Sequence, residues 1–525
     1  MGTSRSQHLR WNTISSLIFQ TTAIICGFIL PRLILRQYGS RVNGLVNSIA
    51  QFLRVIAFLE LGVGAVVQSA LYKPLADKDE VKTSEIIRSA GKFFSMIAVI
   101  LLAYIAVLMA VYPLIVSGAF GRVYTATLIL AIGVSSFAQY YFGVVDCLLL
   151  SADQRGYIQY TAQTLTLILN TSACAALIKL GASIHWVKLT TSCIYLMRPV
   201  FLRLYVNRHY KLNRRIEYTR EPIRQKWNGI AQHVASVVLD QTDVIVLTSF
   251  STLSNVSVYS VYHLVIYGVK NLFLSLTSGF QSLMGEMLAK EERRELYEFF
   301  GWTEWLLHTG TVLLFGCASV LVVPFARVYT YGVTDANYIV PLFAVLITLA
   351  HAGHCLRLPY NILILAAGHY RQTQSNYIIA AVMNIVISVL TVRAWGLVGV
   401  AIGTLCAMFY QTVWMAIYDA KNILNCSMRE FIKHSAVDTV VFLTAFLVTY
   451  RLPLCAVTYA SWFKLAITDF IIWAVIVAAV NCIAYREYMV RIALKSREEA
   501  RNMIARNLWG GYEELTLVPA AIWGY

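Results

Sequence analysis

The sequence predicts an all-α membrane protein that crosses the bilayer about fourteen times. Hydrophobic residues make up 58% of the chain and charged residues only 13%, whereas about 25% of the residues are charged in a typical soluble domain. Apolar stretches long enough to span the hydrocarbon core, which takes about 20 residues, recur along the whole length. Because lipid offers no partner to backbone polar groups, each stretch is expected to be a helix.

The predicted spans follow one another with short polar connections. Their approximate limits are 11–35, 42–72, 92–117, 123–150, 157–180, 185–206, 228–251, 256–289, 299–323, 338–366, 374–392, 397–418, 435–451 and 463–485. The outer loops are all short, and the sequence carries none of the common metalloprotease, hydrolase or nucleotide-binding motifs. We therefore expect a protein that is not an enzyme.

The distribution of Lys and Arg predicts that both termini lie in the cytoplasm. With this orientation, roughly 28 of the 43 basic residues fall in cytoplasmic segments, as positive-inside topology requires. Topology and anionic headgroups account for the net charge of +16 without a nucleic-acid partner. The ten cysteines include no C-x-x-C pair, so neither a disulfide framework nor a metal site is expected.

The two halves of the chain resemble each other at a spacing of about 216 residues. The segment WNTISSLIFQ aligns with WNGIAQHVAS, and LLSADQRGYIQY aligns with LILAAGHYRQTQSNY. Each half has an even number of spans, which predicts parallel repeats around a central cavity, as in transporters. The predicted regions are an N-terminal six-helix lobe (1–206), a basic cytoplasmic connector (207–227), a C-terminal six-helix lobe (228–418), two additional transmembrane helices (419–485) and a basic cytoplasmic tail (486–525).

Charged side chains deep inside a span are costly, which makes them candidates for function. The second span carries a polar stripe at helical spacing that consists of Asn43, Asn47, Gln51 and Arg54. At an offset of 216 residues, the last three of these correspond to His263, Tyr267 and Lys270. Because a cation recurs at the same place in both halves, we expect Arg54 and Lys270 on opposite walls of one cavity.

Further ionisable residues lie within the predicted spans. Arg32 follows Pro31, which can kink the first span, and Arg357 shares a helix face with His354 and Asn361. Four carboxylates are candidates for binding a coupling H⁺ or Na⁺, namely Asp240, Asp243, Glu60 and Asp146. The alternative for each charged residue is structural, either a buried pair between helices or a side chain that reaches the interface.

The run YGSRVNGLVNSIAQFLRVIAFLELGVGAVVQSALYKPLA, residues 38–76, resembles the second helix of bacterial polysaccharide flippases. These belong to the multidrug/oligosaccharidyl-lipid/polysaccharide exporter superfamily, and WNTISSLIFQTTAIICGFILPRLIL, LDQTDVIVL and LLSADQR support the resemblance. It implies two six-helix bundles around a cavity, alternating access and a polyprenyl-diphosphate-linked oligosaccharide as cargo in the bacterial inner membrane. It also implies basic cavity residues on the first, second and eighth helices, where Arg32, Arg54 and Lys270 lie.

The sequence thus leads to the hypothesis of a flippase for an anionic lipid-linked glycan. The diphosphate would lie between Arg54 and Lys270, with Arg32 and Arg357 as auxiliary cations, because Arg binds phosphate in a bidentate way and Lys as a point charge. The predicted cavity wall also includes Asn47, Gln51, His263 and Tyr267. We expect a monomer without cofactor that acts alongside glycosyltransferases and a glycan polymerase.

Two alternatives stay open at this point. A cation-coupled multidrug exporter of the same superfamily would use Asp240 and Asp243, although such exporters usually present an acidic cavity to cationic drugs. A membrane enzyme of glycan assembly is less favoured, because the short loops offer no obvious catalytic site.

Overall fold

The computed structural model describes residues 2–56, 63–116, 120–214, 216–218, 230–277, 279–450, 452 and 458–490. Within these residues the chain is helical and has no strand, which confirms the all-α prediction. In the N-terminal half the elements are α1 (Gly2–Arg54), α2 (Val63–Ala76), α3 (Glu80–Ile115), α4 (Arg122–Ala138), a π-helical turn (Gln139–Gly143), α5 (Val144–Ala152), α6 (Gly156–Lys179) and α7 (Ile184–His209).

The second half continues this order. Its helices are α8 (Ile230–Phe250), α9 (Leu253–Leu276), α10 (Phe280–Ala289), α11 (Arg293–Tyr329), α12 (Pro341–Leu356), α13 (Leu358–Ala366), α14 (Tyr370–Trp395) and α15 (Leu397–Asn422). Two further helices follow, α16 (Arg429–Thr449) and α17 (Tyr459–Ala484).

Ten helical segments of the described chain are long and apolar enough to cross a membrane. Helices α7 and α9 are not among them, because polar side chains, such as Lys188 and Arg198 in α7, lower the hydropathy of their sequence. The first two predicted spans are joined in α1, which Gly39 kinks with φ 80° and ψ 175°. The second predicted span departs from α-helical geometry after Arg54, where residues 55 and 56 are in a 3₁₀ turn, and α2 begins at Val63 after residues that lie outside the described ones.

Two predicted spans are interrupted in each half, the second and fourth in the N-terminal half and the eighth and tenth in the C-terminal half. The division between α1 and α2 is matched by the division between α9 and α10. The π-helical turn between α4 and α5 is matched by the junction at Arg357 between α12 and α13. Both interruptions recur at the spacing at which the sequence repeats, so they divide equivalent helices.

Buried apolar residues form two large clusters that follow the two halves. One cluster consists of residues 34–206 with Leu253, and the other consists of residues 239–416 with Leu35. A smaller cluster joins α11 to α16 and α17 around Trp473. There a Cβ added to Gly316 would lie 2.1 Å from the Trp473 ring, so only glycine permits this close approach. The two additional helices are therefore fixed to the C-terminal half.

The two halves meet along α1 beyond the Gly39 kink. Asp335 of the second half accepts hydrogen bonds from the Ser40 backbone N–H at 2.7 Å and from Ser40 Oγ at 2.6 Å. Asn43 Nδ2 donates to Ser257 Oγ at 2.7 Å. Ser48 Oγ and Thr248 Oγ1 lie 2.6 Å apart. A strip of polar contacts, here called the inter-lobe seal, thus joins the halves along α1 from Ser40 to Ser48.

Candidate functional site

A central cavity of about 300 Å³ lies between α1 and helices α8, α9, α12 and α15. Its α1 wall runs from Asn47 to Arg54, over the last two turns of the helix, next to the inter-lobe seal. The structure brings all six residues of the two predicted stripes to its wall: Asn47, Gln51, Arg54, His263, Tyr267 and Lys270. The offset in the sequence therefore predicted which side chains of the two halves share this cavity.

The two cations of the central cavity differ in their surroundings. Arg54 is the last residue of α1, and its side chain is exposed. Lys270 lies on the second-last turn of α9 and is 3% exposed, with Nζ 5.8 Å from the centre of the Tyr267 ring. A buried ammonium has lost most of its hydration, so an anion gains more from it than from an exposed one. Arg54 is accessible, and Lys270 forms the inner wall.

Polar and aromatic groups line the remaining wall. The Tyr259, His263 and Tyr267 rings stack in sequence along α9, with centroids 5.4 and 5.0 Å apart. Three buried polar atoms on the cavity have no hydrogen-bond partner in the protein, namely Gln51 Oε1, Gln241 Oε1 and His351 Nε2. Buried polar atoms are normally paired, so these three indicate a wall that is suited to a polar ligand. Sequence reasoning missed Gln241 and His351, because neither belongs to a repeated stripe.

Asp243 is the one carboxylate among the described residues of the central cavity. It is 3% exposed and accepts hydrogen bonds from Thr404 Oγ1 at 2.8 and 2.9 Å and from the Tyr259 hydroxyl at 3.0 Å. Hydroxyl donors on two other helices thus hold the carboxylate in place. The side chain of Asp240 and the whole of Glu60 lie outside the described residues.

A second cavity, of about 740 Å³, lies inside the N-terminal half between α1, α4, α6 and α7. Three cations line it, Arg54, Lys188 and Arg198, and no Asp or Glu is among its described lining residues. Thr171 Oγ1 also faces this region and is buried without a hydrogen-bond partner. Lys188 and Arg198 were missed, although two cations inside one predicted span were a visible signal. Arg54 lines both cavities.

Comparisons with known proteins agree on the fold. No protein-family model and no curated protein sequence matches the chain, but solved structures do. The lipid II flippase MurJ, in an inward closed conformation, has a TM-score of 0.68 at 13% identity and covers 91% of this chain and 99% of its own. An inward-facing multidrug resistance MATE transporter of the MOP superfamily has a TM-score of 0.58 at 13% identity and covers 76% of this chain and 95% of its own. The eukaryotic MATE transporter AtDTX14 has a TM-score of 0.56 at 11% identity and covers 83% of this chain and 99% of its own.

The chain has the fold of the MOP superfamily transporters. This confirms the transporter fold that the sequence resemblance implied, and a multi-pass membrane protein with it. In this MOP fold, not all predicted site residues reach the central cavity.

Arg32 lies at the contact between the N-terminal lobe and α17. Its guanidinium donates to the Tyr459 hydroxyl and lies 4.8 Å from the centre of that ring. Arg357 is 6% exposed, donates to Gln411 and has a guanidinium nitrogen 3.0 Å from His354 Nδ1. Neither arginine is among the described residues that line the central cavity. Arg32 instead links α1 to one of the two additional helices.

Asp146 is fully buried and lies between two arginines. Arg214 Nη2 approaches its carboxylate at 2.7 Å and Arg203 Nη1 at 3.4 Å. These contacts join α5 to α7 and to the segment that follows it. In the MOP fold this places Asp146 away from the central cavity, within an ion cluster that holds helix ends together.

Proposed function

We propose that the chain is an alternating-access transporter that flips a polyprenyl-diphosphate-linked oligosaccharide across a bacterial plasma membrane. The observation that carries the proposal is that Arg54 and Lys270, one from each half, line one cavity of a MOP-type fold. A diphosphate is compact and strongly anionic. It can take a bidentate pair from the guanidinium and a point charge from the ammonium.

The two cavities that share Arg54 offer room for the polar part of this cargo. The diphosphate would lie at Arg54, which lines both the central cavity and the larger N-terminal cavity. Amides and hydroxyls such as Gln163, Asn170 and Thr191 line the N-terminal cavity and can hydrogen-bond to sugar hydroxyls. The polyprenyl tail would stay in the lipid between the halves, so that only polar groups cross the protein.

The inter-lobe seal suits a transporter that alternates between two states. It consists of a few hydrogen bonds, each worth about 0.5–1.5 kcal/mol between neutral groups and about 1.5–3 kcal/mol where the Asp335 carboxylate accepts. Breaking a few such bonds costs little enough for a cargo or an ion to drive it. Solved structures of this fold include inward-facing and outward-facing conformations of a MATE transporter. In the proposed orientation the seal closes the outer side, so that the described state would open inward.

The decisive experiment is depletion of the protein in its native cell. Lipid-linked oligosaccharide is expected to accumulate on the cytoplasmic leaflet while surface glycan falls, and a plasmid-borne wild-type copy should restore both. Cells whose lipid-linked pool and surface glycan stay unchanged on depletion would contradict the proposal. If membranes from the depleted cells lack a glycosyl-transfer activity, the result would instead indicate a membrane enzyme of glycan assembly.

A cation-coupled multidrug exporter is the second candidate. The observation in its favour is Asp243 on the central cavity, together with the MATE transporters among the similar structures. The cavity also carries Arg54 and Lys270, which repel a cationic drug. Overexpression would raise resistance to cationic dyes if this candidate were correct, and would leave it unchanged in a glycan flippase.

A further inference from the structure

A third cavity, of about 410 Å³, lies in the C-terminal half between α11, α13, α15 and α16. Its lining is acidic, in contrast to that of the other two cavities. The charged and imidazole groups on its described wall are Glu298, Glu304, Asp419, Glu430, Lys433, His434 and Glu487. Five carboxylates thus face one ammonium, so the cavity attracts positive charge from the aqueous phase.

Two of these carboxylates are buried at the inner end of the cavity. Asp419 is 1% exposed, and neither of its carboxylate oxygens has a hydrogen-bond partner. Glu304 is 5% exposed and accepts from the Tyr360 hydroxyl at 2.5 Å. Burying an ionised carboxylate without a partner is costly, whereas burying a neutral carboxylic acid costs far less. The pair is therefore best satisfied by taking up positive charge.

Titratable groups connect this pair to α16 and to the segment after α17. His308 Nδ1 lies 2.6 Å from Asp438 Oδ2, and His308 Nε2 lies 3.4 Å from the Tyr360 hydroxyl. His434 Nε2 lies 3.9 Å from Glu304 Oε2, and His434 Nδ1 lies 2.7 Å from the Tyr485 hydroxyl. The titratable groups around the pair are His308, Glu298 and Tyr297 on α11, Tyr360 on α13, Glu430, Lys433, His434 and Asp438 on α16, Tyr485, Glu487 and Tyr488 after α17, and Cys426 before α16.

The geometry favours a proton over a metal ion. Among the described residues, no group of three His, Cys, Asp or Glu side chains is arranged to hold a metal. One oxygen of Glu304 already accepts from Tyr360, which leaves too few converging ligands for a cation of higher coordination number. A proton needs only one carboxylate oxygen and a neighbouring acceptor.

We propose that Glu304 and Asp419 form a proton-binding site in the C-terminal lobe, which the rim carboxylates Glu298, Glu430 and Glu487 supply from the aqueous side. One proton from water binds one carboxylate, so the charge of the pair changes from −2 to −1. Because His434 and Asp438 belong to α16, protonation alters contacts between the lobe and an additional helix. That this proton drives transport rests on the proposed function.

Infrared difference spectroscopy on the purified full-length protein tests the site directly. The wild type should show a pH-dependent band of a protonated carboxyl group, and Glu304→Gln and Asp419→Asn should each lose it or reduce it by about half. The control is Glu286→Gln, which removes an exposed carboxylate that pairs with Lys290 at 2.6 Å and should leave the band intact. A band of full size in both cavity variants would overturn the site.

A second measurement needs no variant and so does not depend on the folding of one. A hydrophobic carbodiimide reacts with buried protonated carboxyl groups, and mass spectrometry of the labelled wild type should locate the adduct on Glu304 or Asp419. Labelling should fall as the pH rises. Labelling of neither residue, or loss of the infrared band on adding Na⁺ at constant pH, would contradict a proton site.

The role in transport is tested separately in cells. Depleted cells that express the Glu304→Gln variant should accumulate lipid-linked oligosaccharide on the cytoplasmic leaflet, while the level of the protein stays normal. Normal export by this variant would overturn the coupling role while leaving the flippase proposal intact. If depletion of the wild type itself changes neither glycan pool, the proposed function fails, whereas the spectroscopic result on the proton site still stands.

Discussion

The N-terminal half encloses a cavity lined by three cations, whereas the cavity between the C-terminal helices and α16 is lined by five carboxylates. Both halves have the same order of helices and the same two interruptions. The two cavities do not lie between equivalent helices, since α16 and the segment after α17, which have no counterpart in the N-terminal half, contribute Glu430 and Glu487 to the acidic one. The charge that each cavity attracts therefore depends on its side chains and, in the acidic cavity, also on the additional helices.

The central cavity resembles the N-terminal cavity in that cations outnumber carboxylates among its described lining residues. Arg54 lines both it and the N-terminal cavity, and Asp243 is held by two hydroxyl donors. The acidic cavity is also the one that contacts α16, a helix with no counterpart in the N-terminal half. An anionic cargo and a cationic coupling partner would then occupy separate regions, where they do not neutralise each other.

The largest expected effect comes from removing the cations that the two halves share. Arg54→Ala or Lys270→Ala should each abolish export, because losing one partner of a desolvated charge pair costs about 2–5 kcal/mol, or at least about 30-fold in binding. The measurement is surface glycan in a depleted strain, with the protein level checked in the membrane. Arg54→Lys is the matched control and should retain part of the activity. A fully active double alanine variant would assign both residues a structural role.

A smaller effect is expected in the N-terminal cavity. Lys188→Ala or Arg198→Ala should slow export about fivefold, since each removes one partly exposed cation worth about 1 kcal/mol. The control is Lys179→Ala, which removes an exposed cation at the end of α6 that does not line the cavity. If all three variants export alike, the cationic character of this cavity has no part in transport.

The ion cluster at Asp146 should affect stability and not transport chemistry. Asp146→Ala leaves Arg203 and Arg214 without their common partner and should lower the stability by about 1–3 kcal/mol, visible as a lower Tm in detergent. Glu286→Ala, which breaks the exposed pair with Lys290, should hardly change the Tm. An unchanged Tm in Asp146→Ala would instead return Asp146 to the candidates for ion coupling.

The smallest effect is expected at the one described carboxylate of the central cavity. Thr404→Val removes a donor to Asp243 but leaves the Tyr259 hydroxyl, so a loss of stability of about 1 kcal/mol is expected. Thr404→Ser keeps the hydroxyl and should behave like the wild type. If Thr404→Val instead abolishes export at unchanged stability, Asp243 belongs to the transport machinery and the central cavity is not purely cationic in function.

Regularities along the chain predicted much of this arrangement. The 216-residue offset placed Lys270 opposite Arg54, because equivalent helices of a duplicated fold present equivalent positions to the space between them. Asp146 and Arg357 could not be placed in the same way. Whether a buried charge faces a cavity or a partner depends on side chains far away in sequence, such as Arg214 and Gln411.

The acidic cavity illustrates the same limit. Glu304 and Asp419 lie 115 positions apart along the chain, in spans that carry no repeated polar stripe. Only the packing of α11 against α16, and of α13 against both α11 and α15, brings them to one cavity. The sequence by itself determined the membrane-spanning helices, since hydrophobicity and backbone hydrogen bonding act locally. Only the tertiary structure decided which charges share a cavity, because burial and electrostatic pairing depend on distances between helices.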